Sequence, residues 1–134
     1  MVALVLVAHS PELVAGLRAM VAGAAPGVPV EVAAGTDLGR LGTSAPAVAA
    51  ALGRALAAAD DGVVVLLDHG SAFLAIDIAL EELAGPDRAR VRLSGGPLVE
   101  GAVLAAVEAG QGGSLEAVGR AADEAWRIPK ILDP

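Results

Sequence analysis

Four β-type segments alternate with helical ones along the chain. The first, residues 2–8 of "MVALVLVAHSPELVAGL", is an unbroken aliphatic run rich in valine. Such a run suits a strand covered on both faces. Ser10 and Pro11 follow as N-cap and first helical residue. Leu13, Leu17, Met20 and Val21 recur at helical spacing, which predicts a helix to about Gly23. "VPVEVAA" (28–34) alternates as a second strand. "GVVVLLD" (62–68) is a second fully apolar run, and "ARVRLS" (89–94) a short fourth strand.

Between these strands lie "APAVAAALGRALAAA", capped by Ser44, and "AFLAIDIALEELA", which follows Asp68-His69-Gly70-Ser71. After them come "LVEGAVLAAVEAG" and "SLEAVGRAADEAW" (114–126), the latter capped by Ser114. Regular alternation of strand and helix predicts an α/β fold, an open, mostly parallel sheet of four to five strands with helices on both faces. The fifth strand would come from the tail "RIPKILDP", which could equally be an arm packed on a neighbour or a frayed end. No internal repeat divides the 134 residues, so one domain over 1–134 is expected.

Composition narrows the function. One Trp, one Phe and no Tyr leave little to stack on bases. A formal net charge of −7 disfavours a phosphate-backbone partner, so no nucleic acid is expected, and a basic protein partner is compatible. There is no cysteine for disulfide or thiolate chemistry. The first apolar run is too short to span a bilayer, and no basic residue precedes it. A cytoplasmic protein with no membrane partner is expected.

The chemistry concentrates at strand ends. In an open parallel sheet, ligands bind beyond the carboxyl ends of the strands where strand order reverses. His9 ends the first strand, and Asp68 and His69 end the third. If those strands are neighbours, His9 and Asp68 meet across one rim. A carboxylate beside an imidazole fixes its tautomer and orients it, leaving the outward nitrogen nucleophilic. Gly70-Ser71 opens a helix, whose first N–H groups suit a phosphate. Plainer roles exist for each: His9 as a hydrogen-bonded rim residue, Asp68 and Ser71 as caps, His69 as a surface residue. The only lysine is Lys130, so there is no Walker-type loop, and no GxGxxG follows the first strand.

Four segments, "LVLVAHSPELVAGL", "AAGTDLGRLGTS", "VVVLLDHGSAFLAIDIALE" and "GPLVEGAVLAAVEA", resemble in order the phosphotransferase subunits of bacterial dihydroxyacetone kinases that run on phosphoenolpyruvate. The first domain of those subunits belongs to the mannose-type EIIA group of the sugar phosphotransferase system. The resemblance implies that His9 accepts a phosphoryl group from the carrier protein HPr. It would pass the group to ADP held in the nucleotide-binding subunit of the kinase, with no cofactor and no metal needed. It implies that Asp68 orients His9 and that Ser71 holds phosphate, with Gly70 and Ser10 beside it. Gly35, Thr36, Gly42, Thr43 and Ser44 would lie near the site, although Thr43 and Ser44 also suit a turn and a cap. It implies a homodimer. This chain departs from the resembled turn, "DLGSA", by carrying His69 in place of leucine. Some such subunits continue into HPr-like and further domains, so the chain reads as a single-domain form or part of a longer one.

Two other functions share these residues. An EIIA component of a mannose-type sugar transporter, or a regulatory relay, would use the same site with another acceptor. "VAHS" after a strand also resembles the start of small tetrapyrrole metal chelatases, in which His9 and His69 would bind metal.

Overall fold

The computed structural model describes residues 1–133. Four parallel strands, β1 (Ala3–Ala8), β2 (Val30–Ala34), β3 (Val63–Leu67) and β4 (Val91–Leu93), form one sheet in the order β2-β1-β3-β4. Six helices connect and cover them: α1 (Pro11–Ala24), α2 (Ala45–Ala58), α3 (Phe73–Glu81), α4 (Gly85–Arg88), α5 (Leu98–Gly110) and α6 (Leu115–Asp123).

Alternation along β1 builds two cores. Successive side chains of a strand point to opposite faces. Leu4 and Leu6 therefore join Val14, Leu17 and Val21 of α1 and the alanines of α5. Val5 and Val7 join Val48 and Leu52 of α2 and Ile76 of α3. All six residues of β1 are buried, which accounts for the missing polar position in its sequence. Helical alanines such as Ala102, Ala105 and Ala109 are fully buried and let α5 lie close to the sheet.

The cap residues act as expected. The side chains of Ser10, Ser44 and Ser114 accept N–H bonds from Leu13, Ala47 and Ala117. Boundaries move by one to three residues, with α3 ending at Glu81 rather than Ala84, and a short helix, α4, forms at "GPDR". The helix expected to begin at Ala72 is preceded by a 3-10 turn, Gly70–Ala72. The helix expected over 114–126 ends at Asp123 and is followed by a 3-10 turn, Ala125–Arg127.

The fifth strand expected from the tail does not form among the described residues. The chain from 128 to 133 carries no strand, and Lys130 pairs with Glu100 in the first turn of α5 at 2.6 Å. Pro134 lies outside the described residues. No helix among the described residues is long and apolar enough to cross a membrane.

Strand order positions the site. β2 follows β1 on one side, and the α2 crossover carries the chain to the other side, where β3 pairs with β1. The order therefore reverses between β1 and β3, which leaves a crevice beyond their carboxyl ends. His9 and Asp68 are the residues that leave those two strands.

Candidate active site

The parallel register aligns Val7 with Leu67, so His9 and Asp68 emerge side by side. Asp68 anchors its own backbone by donating its N–H to the Val7 carbonyl at 3.1 Å. Its carboxylate then accepts three N–H groups. The His9 backbone N–H reaches Oδ2 at 2.9 Å, and the His69 backbone N–H reaches Oδ1 at 2.8 Å. The third is the His9 ring, whose Nδ1 lies 3.0 Å from Oδ1 and 3.2 Å from Oδ2.

Burial pushes the Asp68 carboxyl up. The bonds from the His9 backbone, the His9 ring and the His69 backbone outweigh it and hold the group below the usual aspartate range. Asp68 is therefore a carboxylate, which can only accept. The proton of a neutral His9 ring must then sit on Nδ1, and Nε2 carries the lone pair. Ser71 Oγ stands 3.0 Å from Nε2, so the hydroxyl donates to it. Asp68 is thus more than a possible cap: it sets the tautomer and the tilt of the ring.

Nε2 opens onto a shallow depression lined by His9, Ser10, Leu13, Leu41, His69 and Ser71, with Asp68 at its floor. Gly70 and Ser71 begin the 3-10 turn that leads into α3, so their N–H groups have no acceptor within it. Ser10 touches the depression, but its hydroxyl caps α1 and donates to Glu12 at 3.2 Å. The His69 ring stands edge-on to the His9 ring, with centroids 5.4 Å apart and planes at 80°.

The 35–44 loop reaches the site through its backbone. Gly42 N–H donates to the His9 carbonyl at 3.0 Å, and Gly35 N–H donates to the Gly42 carbonyl at 2.9 Å. Gly42 has φ of +145°, and a Cβ there would stand 2.7 Å from Thr36 Cγ2. Thr36 Oγ1 accepts the Arg40 N–H, closing the turn that presents Leu41. Ser44 caps α2 and donates to Asp37 at 3.0 Å. Thr36, Thr43 and Ser44 do not line the depression. Leu13 and Leu41 do line it and were not singled out from sequence; a leucine carries no chemical signal of its own.

"GPLVEGA" also has a physical explanation. A Cβ on Gly96 would run into the Ala122 carbonyl, and one on Gly101 would stand 2.8 Å from Leu66 Cδ2. Buried Ser94 donates to Asp123 at 2.6 Å and accepts the Gly96 N–H at 3.1 Å. These contacts press the start of α5 against α6 and place Gly95, Gly96 and Pro97 beside Asp68 and His69. The segment is a packing device that walls one side of the site.

A histidine at the end of β1 is buttressed by a carboxylate at the end of β3, where the strand order reverses. The chain belongs to the EIIA-man family, described as the PTS system fructose IIA component, whose model matches residues 3–119. It is 40% identical over 124 residues to the phosphoryl donor subunit DhaM of the PEP-dependent dihydroxyacetone kinase of Escherichia coli K12. That match covers 88% of this chain and 25% of the relative, so the chain spans about a quarter of that protein's length. It is 34% identical to the corresponding subunit of dihydroxyacetone kinase 2 of Listeria innocua, covering 88% of this chain and 94% of that one. The crystal structure of a protein of unknown function, EF1359, superposes with a TM-score of 0.80 at 26% identity, covering 92% of this chain and 93% of the other.

Proposed function

We propose that the protein is a phosphohistidine carrier that takes a phosphoryl group onto Nε2 of His9 and delivers it to the dihydroxyacetone kinase machinery. The observation that carries this reading is the fixed polarity of the ring. Nδ1–H is committed to Asp68, and Nε2 faces Ser71 and the open depression.

The donor is HPr carrying a phosphorylated histidine. The lone pair of His9 Nε2 attacks phosphorus in line, the N–P bond of phospho-HPr breaks, and HPr leaves with a neutral imidazole. The His9 ring keeps its Nδ1 proton and gains positive charge, which Asp68 offsets. Ser71 and the N–H groups of the following turn receive phosphoryl oxygens, with Gly70 and Ser10 beside them. In the onward step the Nε2–P bond breaks as a terminal oxygen of ADP, held in the nucleotide subunit of the kinase, takes the phosphoryl group. With this reading go a cytoplasmic location, a homodimeric assembly and a single EIIA-type domain over 1–134.

The family description also suits a sugar-transporter IIA component, which would use the same His9 chemistry and hand the group to a IIB protein instead. A chelatase role fits the site less well, because among the described residues no group of three or more His, Asp or Glu side chains is placed to hold a metal ion.

The test is a reconstituted relay of phosphoenolpyruvate, Enzyme I, HPr, this protein and the ADP-loaded kinase subunit. Formation of ATP on that subunit, dependent on this protein, is expected. Phosphorylation of this protein with transfer only to a IIB partner would support the transporter reading.

A further inference from the structure

The depression holds a charge imbalance. A phosphoryl group on His9 Nε2 would bring an anion into a depression that already holds the Asp68 carboxylate. Among the described residues no lysine or arginine lines the depression, and Arg40, next to Leu41 in the loop, is not one of those that do. Glu12, held by Ser10 at the rim, adds further negative charge. On the other side of His69, Gly95, Gly96 and Pro97 bring no charged group, and Glu100 of α5 is taken by Lys130. Among the described residues, the only side chain lining the depression, other than His9 itself, that can become a cation is His69.

The fold does not use the His69 ring. His69 occupies the cap position of the turn at Gly70 yet makes no side-chain capping bond. Only its backbone N–H works, on Asp68. Among the described residues its ring nitrogens have no hydrogen-bond partner, while the ring stands against that of His9.

We propose that His69 is a second phosphate-binding group of this site: its protonated ring takes an oxygen of the phosphoryl group on His9 Nε2, opposite the oxygen held by Ser71. This rests on the reading of His9 as the phosphoryl acceptor. It assigns His69 a charge-balancing role that arginine or lysine plays in other phosphate sites. By linkage, if protonated His69 stabilises the phosphoryl form, the phosphoryl group must favour protonated His69 equally.

The experiment follows the His69 ring proton by NMR against pH in the unmodified and the phosphorylated protein. Phosphorylation uses phosphoramidate, a small chemical donor: its P–N bond breaks, a P–Nε2 bond forms, and ammonia leaves. The expected result is a His69 titration midpoint higher in the phospho-protein by about one pH unit or more, the size expected for an opposite charge in contact. A rise of one unit corresponds to a phospho-form about tenfold more favoured at low pH than at high pH. The same dependence should be missing from the His69→Leu and His69→Gln variants, whose phosphoryl form should be less favoured than that of wild type at low pH. A midpoint that moves by less than a few tenths of a unit while His9 is phosphorylated would overturn the proposal and leave the function standing. Absence of any phosphoryl group on His9 in the folded protein would overturn both.

Discussion

His9 Nδ1 lies 3.0 Å from Asp68 Oδ1, across the seam where β1 and β3 run side by side. Fifty-nine residues separate the two in sequence. The pair exists because the α2 crossover makes β1 and β3 neighbours. Its consequence is that one ring nitrogen is held and the other is offered.

Asp68→Asn should keep the fold and slow phosphoryl acceptance. The amide removes the charge that offsets the ring, and its NH₂ group faces N–H donors. Hydrogen bonds to charged groups contribute about 1.5–3 kcal/mol, so a loss of roughly 10- to 100-fold in rate is expected. Single-turnover transfer from phospho-HPr, with circular dichroism as control, measures it.

The same substitution should change the acid stability profile. The folded Asp68 carboxyl lies below its unfolded value. Its contribution is therefore complete above the unfolded value and is lost as pH falls through the folded one. Wild type should exceed Asp68→Asn in stability by a constant margin near neutrality, and the margin should shrink below about pH 4. Urea denaturation at stepped pH checks this; a gap that widens in acid would contradict it.

Ser71→Ala should leave stability nearly unchanged, since the Ser71 hydroxyl bonds His9 rather than the backbone. In the transfer the hydroxyl turns from Nε2 to a phosphoryl oxygen, and the loss of about 1 kcal/mol there should slow acceptance by roughly fivefold. A variant as fast as wild type would remove Ser71 from the site.

Gly42→Ala tests the loop. The residue sits at positive φ with Thr36 in the way of a Cβ, and its N–H holds the His9 carbonyl. Strain of about 1–3 kcal/mol is expected, and it should appear as lower stability together with slower acceptance. Gly96→Ala, by contrast, should cost about 1–3 kcal/mol or more through its collision with α6. Thermal melts of the two variants, set beside their transfer rates, separate the loop from the wall.

Much of this was readable from residue patterns. The unbroken apolar runs before His9 and Asp68 marked doubly covered strands, and serines just before the helical runs marked the caps. Histidine and aspartate at two strand ends carried a chemical signal. Their meeting was conditional, because strand order is a long-range property that no local pattern encodes. The backbone N–H groups that clamp Asp68, and the Gly42 bond to His9, involve main-chain atoms common to every residue. The apolar tail at Ile128 and Ile131 offered strand-like residues, but the structure places no strand there.

The most direct measurement is intact mass at alkaline pH after incubation with phosphoenolpyruvate, Enzyme I and HPr. Wild type, His9→Ala and His69→Ala would be run side by side. The account predicts one acid-labile phosphoryl group on wild type and on His69→Ala, and none on His9→Ala. A phosphoryl group that persists in folded His9→Ala, or never appears on wild type while HPr is phosphorylated, would contradict it.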